Sequence, residues 1–295
     1  MIKLNQKLEI REPSNADEFK VIEDIQKDAW GMNDIDVVPY RIIIAIHEAG
    51  GCVLIAYMQN EAIGFVLGFL GTGNDGEIYL HSHQLGVKRK YWGQGIGFLL
   101  KLKQREWVIS RGINLVRWTF DPLLARNAHL NFSKLGVINN TYYVNLYGVM
   151  RDKLNYGLES DRFYVEWWVN SNHVKRKIEK HEEIMFNLRD HIDNLANTVE
   201  FKAGIPVIKD VNLELTDKLV IVEIPTEVEE VKKRDISVAF DWRLKTRKIF
   251  QNYFRRGYIA VDLLTLNEGD SRRTFYILLK EKKQKILDEN WWELL

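Results

Sequence analysis

Three glycines in five residues, Gly93-Gln94-Gly95-Ile96-Gly97, separate an apolar run ending at Leu85-Gly86-Val87 from a helical pattern beginning at Phe98. Glycine lets backbone amides crowd toward one point with no Cβ in the way. At a helix N-terminus those amides, backed by the positive end of the dipole, make a seat for an anion such as a phosphate. Lys88, Arg89 and Lys90 stand beside the turn and suit the same charge, although a solvated basic loop has the same composition. Upstream, Glu77, His81 and His83 occupy alternate positions of a strand pattern, so that residues 77, 79, 81, 83, 85 and 87 are expected on one face. An imidazole with its ordinary pKa near 6.5 suits proton abstraction around neutral pH. The plainer alternative is two sheet histidines bonded to their neighbours. As a metal site the pair gives two ligands and no third, so no metal is expected.

Positioning these groups requires a series of elements. Leu8 to Arg11 is a short strand, and Ser14 with Asp17 forms a helix-start signal. Phe19, Ile22, Ile25 and Trp30 then follow helical spacing as far as Gly31. Pro39 opens a second helix through Ile42 and Ile46, ended by Gly50-Gly51. Val53 to Tyr57 and Ala62 to Leu70 form a hairpin about Gln59-Asn60-Glu61, and Ile78 to Val87 is the strand entering the glycine turn. After the helix from Phe98 to about Ser110 come a strand from Leu115 to Phe120, a helix from Leu124 to Leu135, an extended segment from Thr141 to Leu146 and a strand from Arg162 to Trp168.

Beyond Asn170 the pattern changes. Ile178, Met185, Leu188, Ile192, Leu195 and Val199 suggest one charged helix over 172–200, lying on its own domain rather than forming a coiled-coil dimer. Strands at Val207-Ile208 and Leu219 to Ile224 follow. Asp235 is placed to cap an amphipathic helix carrying Phe240, Trp242, Leu244, Ile249, Phe250, Tyr253 and Phe254. Gly257 stops it, and Tyr258 to Leu264 and Thr274 to Leu279 are strands. Two domains are expected, 1–170 around the glycine turn and 171–295 as a C-terminal α/β extension packing on or completing the first.

The 295 residues, 46% apolar and 28% charged, have the composition of a globular protein with ample core. A net charge of +1 argues against nucleic acid or an anionic membrane as the principal partner. The single cysteine, Cys52, excludes an internal disulfide and fits a reducing compartment. With no signal sequence and no apolar stretch near the roughly 20 residues that span a bilayer, a cytoplasmic protein is expected.

Spacing narrows the owner of the anion seat. A P-loop needs Lys and Ser or Thr directly after its last glycine, where this chain has Phe98 and Leu99. A dinucleotide loop wants G-x-G-x-x-G; the spacing here is G-x-G-x-G, though Asp121 stands where its acid would, so that loop stays open on spacing alone. Leu85 to Gly97, the helix after it, and Arg126-Asn127-Ala128 through Lys134-Leu135-Gly136 resemble the cofactor-binding core of the GNAT superfamily of acyl-CoA N-acyltransferases. The order of elements over roughly the first 170 residues is similar to that arrangement. The Asp241-Trp242-Arg243, Thr246-Arg247, Tyr253-Phe254 and Gly257-Tyr258 pattern resembles the C-terminal half of a bacterial and archaeal branch described as predicted acetyltransferases.

The resemblance implies an α/β (α+β) fold with a mixed, mainly antiparallel sheet flanked by helices, and acetyl-CoA or another acyl-CoA as co-substrate. It gives the backbone of Leu85 and Val87 to the pantetheine amides, the amides from Gln94 to Phe98 to the pyrophosphate, and Asn127 to the pantetheine arm. Gly93, Gln94, Gly95, Ile96, Gly97 and Phe98, with Lys88, Arg89 and Trp92, are the expected cofactor contacts. Two positions depart from the family. Trp92 stands where Arg or Gln often precedes the first glycine, and Phe132 where many members carry a Tyr that protonates the leaving thiolate. Tyr143 is the nearest replacement acid, and His81, His83 and Glu77 are the candidate bases, His81 standing about where histone-type members have Glu. The expected activity is transfer of an acetyl or short acyl group to an amine, on a small molecule or a peptide, by direct attack. The alternative is an acyl-CoA-binding regulatory or interaction module without catalysis. Acceptor and oligomeric state are open at this level.

Overall fold

The computed structural model describes residues 8–74, 76–148, 157–180, 186–268 and 271–295. By packing, these residues form two compact units that divide after Trp118. The expected division fell near residue 170.

In the first unit, β1 (Leu8–Arg11) precedes α1 (Ala16–Trp30) and α2 (Tyr40–Glu48). The helix start is set one residue later than the Ser14/Asp17 pattern suggests. Asn15 accepts from the Glu18 amide at 3.1 Å, and the Glu18 carboxylate reaches back to the Ser14 amide and to Arg11. Then come β2 (Cys52–Met58), β3 (Glu61–Thr72), β4 (Ile78–Val87), α3 (Ile96–Ile109) and β5 (Leu115–Phe120). Strands β1 to β4 pair antiparallel in chain order. The β2–β3 hairpin turns at Gln59 and Asn60, both at positive φ, as a two-residue loop matched to strand twist requires. Phe19, Ile22 and Ile25 of α1 and Ile43 of α2 pack on Val53, Ile55, Phe65 and Leu67, so one face of the sheet is covered by these helices.

Two irregularities shape the site. Among the described residues, the parallel pairing of β4 with β5 is registered at Leu80–Val116 and His81–Arg117, and beyond His81 β4 runs on to Val87 paired with β3. In the β3–β4 pairing, Leu67 faces Gln84 and Gly68 faces Ser82, leaving His83 as the extra residue of a bulge. Gly68 permits the close approach there, since a Cβ would come within 2.9 Å of the His81 carbonyl oxygen.

The second unit carries the end of β5, α4 (Ala125–Ala128) continued by a wide turn over His129–Lys134, β6 (Tyr142–Tyr143), β7 (Arg162–Trp168), α5 (Asn172–Lys175), β8 (Asn197–Lys202), β9 (Ile205–Val211), β10 (Leu219–Ile224), α6 (Val228–Arg234), α7 (Ile236–Arg255), β11 (Ile259–Glu268), β12 (Ser271–Leu279) and α8 (Lys283–Asp288). Strands β10, β12 and β11 form an antiparallel sheet in that order, and β8–β9 is a hairpin. The Asp235 cap and the Gly257 stop are found as expected. The unit boundary falls early because Phe163 of β7 packs its ring on Phe250 and Phe254 of α7 and Tyr276 of β12, which ties β7 to the C-terminal half.

The single helix expected over 172–200 is not formed. Its described parts are α5 with a wide turn to Lys180, a 3₁₀ segment over Leu188–Asn194, and β8; Met185 lies outside the described residues. Backbone pairing outweighs the apolar stripe there. The Ala196 amide donates to Ile221, and Asn197 bonds the Glu223 backbone in both directions. Of the extended segment expected over 141–146, only Tyr142–Tyr143 pairs as strand.

Candidate functional site

The glycine turn folds as its composition dictates. A short 3₁₀ segment over Arg89–Tyr91 leads to Gly93 and Gly95, which take φ of 79° and 78°, where only glycine is unstrained. Gly95 caps α3 with no side-chain bond, and Leu99 is the first residue to donate back to the Gly95 carbonyl. The amides of Ile96, Gly97 and Phe98 therefore project from the helix start, as an anion seat needs. A Cβ built at Gly93 meets no atom, so space for an anion is open at the turn.

Side chains around the turn are committed to one another. Glu61, delivered by the β2–β3 hairpin, accepts from Lys88 at 3.0 Å, Lys90 at 2.9 Å and the Tyr91 hydroxyl at 2.8 Å. These bonds, Lys90 foremost, hold its carboxyl down to about 2. Its role was invisible in the sequence because only strand pairing brings a hairpin residue against this loop. Asp28 accepts from the Arg89 amide at 2.6 Å, and the Arg89 guanidinium lies 5.8 Å from the Trp92 ring. The Trp92 indole donates to the Val87 carbonyl at 2.7 Å. One acceptor expected for a cofactor amide thus already serves the protein, with its second lone pair remaining.

The bulge at His83 overturns the expected alternation. Ser82 faces α3, where its hydroxyl meets Gln104 and Lys101. Leu85 and Val87 face α3 too: the Leu85 Cδ2 lies 3.7 Å from a Cβ built at Gly97, and one built at Gly64 meets both Val87 and Leu100. His81 and His83 lie on the other face with Phe69, whose ring centroid is 5.0 Å and 5.7 Å from theirs. The extra residue inverts which side chains share a face. Burial, with smaller effects from His83 and Lys101, lowers His81 to about 4, and loss of hydration around the ring lowers His83 as well, although that residue keeps an exposed surface. Both imidazoles are therefore neutral near pH 7 and able to accept a proton. Glu77 precedes β4, four positions from His81 and roughly 13 Å away at strand rise, so it does not join them.

In the second unit, Asn127 lies exposed on α4, its amide bonded to the Leu124 carbonyl at 2.9 Å. Tyr143 is 39% exposed and stands against Tyr164. Phe132 is fully buried among Phe120, Phe163 and Tyr276. Asp121, which stands where a dinucleotide loop would have its acid, is bound by Arg243, within a buried group where Asp161 accepts from Arg247 and from the Tyr142 hydroxyl. Among the described residues, no group of three or more His, Cys, Asp or Glu could hold a metal, and no helix is long and apolar enough to cross a membrane.

Residues 19–136 match the Acetyltransferase (GNAT) family. Solved structures similar to the chain include the ribosomal-protein-S18-alanine N-acetyltransferase of Escherichia coli, at 14% identity and a TM-score of 0.44, covering 55% of this chain and 94% of that one. Ribosomal-protein-alanine N-acetyltransferase of Brucella melitensis aligns at 14% identity and 0.44, covering 54% and 98%. Naa50 of Arabidopsis thaliana, in complex with the bisubstrate analogue CoA-Ac-MVNAL, aligns at 15% and 0.42, covering 54% and 97%. No curated protein matches the chain.

Proposed function

We propose that this protein is an N-acyltransferase that moves an acetyl or short acyl group from acyl-CoA to an amine on a small molecule or peptide. The observation carrying this reading is the left-handed Gly93–Gly95 turn, which aims the amides of Ile96, Gly97 and Phe98 outward at the end of a strand that parts from β5 after His81. When bound, the acyl-CoA supplies the activated carbonyl. The residues of the chain do the rest. The turn amides hold the pyrophosphate, and the free edge of β4 from Ser82 to Val87 offers backbone groups to the pantetheine arm. Asn127 is assigned a contact to that arm. His83, backed by His81, takes the proton of the attacking amine on the Phe69 face, and Tyr143 is the candidate proton donor to the thiolate. The expected site is cytoplasmic.

Calorimetry with acetyl-CoA tests this. The wild type should bind, and Gly95→Glu, which adds a Cβ and a negative charge at the seat, should weaken binding at least tenfold, about 1.4 kcal/mol. No binding by the wild type, or equal binding by the variant, ends the reading. A second reading, an acyl-CoA-binding module without catalysis, draws on the buried phenyl ring of Phe132 at the position of the family's proton donor. Thiol release across an amine panel separates the two, since binding with no turnover favours the module.

A further inference from the structure

Behind the histidine face lies a buried polar group that the proposed chemistry does not use. Lys101 of α3 is 2% exposed. Its ammonium donates to the Ser82 hydroxyl at 2.9 Å and to the Gln104 side-chain oxygen at 2.9 Å, and it lies 3.6 Å from the Trp118 ring. Ser82 closes the triangle by donating to Gln104 at 3.0 Å. Burying an ammonium costs free energy that an apolar side chain of similar length would not. The group sits at a particular place: Ser82 is the first β4 residue past the last registered β5 pair and directly precedes the bulged His83. Lys101 itself follows the anion-seat amides by little more than a turn of the same helix.

We propose that Lys101 is a positioning residue: through Ser82 and Gln104 it pins β4 at its bulge, couples that bulge to the helix that starts at the glycine turn, and sets its charge close enough to His81 to be read in that ring's titration. The catalytic consequence rests on the acyltransferase reading; the electrostatic one does not. Burial lowers Lys101 to about 7, so the cation facing the back of β4 is lost as pH rises through neutrality. The charged and titratable groups around the pair are His83 on β4, Arg117 opposite His81 on β5, and Cys52 on β2, whose thiol burial pushes up to about 12. Glu12 and Arg111 act on Cys52 from farther out.

Proton NMR of the wild-type imidazoles reads the coupling without turnover. The His81 Cε1–H resonance should show its own inflection near pH 4 and a second near pH 7 as Lys101 loses its proton. A single inflection overturns the proposal. In Lys101→Met, the second inflection should vanish and the first should move up by roughly half a unit; an unmoved curve overturns it too. If that variant does not fold, Ser82→Ala keeps the lysine and cuts its tie to the bulge. It should then lose roughly tenfold or more in kcat, while acetyl-CoA Kd stays within about twofold. Unchanged kcat, or kcat and affinity falling together, overturns the positioning role. A wild type that acylates no amine removes the acyltransferase reading alone, because the two-inflection curve is still read.

Discussion

At Trp92 one side chain replaces what the resemblance led one to expect. The family's frequent Arg or Gln would point a donor at the anion, whereas the Trp92 N–H is turned inward onto the Val87 carbonyl. The indole braces the turn against the end of β4. Trp92→Phe should therefore cost about 0.5–1.5 kcal/mol of stability, measured by urea unfolding, with acetyl-CoA Kd unchanged within roughly threefold. A tenfold weaker Kd would mean that the indole touches the cofactor. The positions needing glycine were legible in the sequence, because positive φ admits little else at the head of a helix. The bond made by Trp92 was not, because an indole ahead of a helix start has no sequence signature for its acceptor.

At the scale of elements, the β4 bulge decides what the strand can present. A strict period of two places His81, His83, Leu85 and Val87 together; one extra residue moves the histidines to the helix α1–α2 face and the other two to the α3 face. Sequence alternation cannot reveal such a step, since an inserted residue changes register without changing composition. The β2–β3 hairpin acts similarly on charge, for Glu61 gathers Lys88, Lys90 and Tyr91 into one group. If the lysines also serve a 3′-phosphate, Glu61→Gln should free them and raise the preference for CoA over 3′-dephospho-CoA about threefold or more in calorimetry. An unchanged ratio would leave them a structural pair with the hairpin. The folded Glu61 carboxyl, held to about 2, contributes stability above its unfolded pKa that is lost only as pH falls toward 2; the substitution should remove that part of the acid sensitivity.

For the whole molecule, the unit boundary after Trp118 separates the glycine turn and histidine face from a second unit with its own aromatic core. Phe132 belongs to that core. Phe132→Ala should cost about 3–5 kcal/mol in the unit that holds it, read by thermal or denaturant unfolding. Phe132→Tyr should cost about 1–3 kcal/mol for an unpartnered hydroxyl and restore no rate; a rate gain would show that the position can still supply a proton. Sequence alone determined the glycine turn at the head of α3, most strands and helices of the first unit and the capped α7 helix, because these follow from local dihedral limits and periodicity. Tertiary structure alone decided that His83 is bulged, that Glu61 and Trp92 bind the turn, that Lys101 lies under the strand, and that 172–200 breaks into short pieces ending in a β-strand. Apart from the Trp92 bond to Val87, five residues away, those features depend on partners farther off in the chain, whose hydrogen bonds and burial outweigh the local preferences that sequence can express.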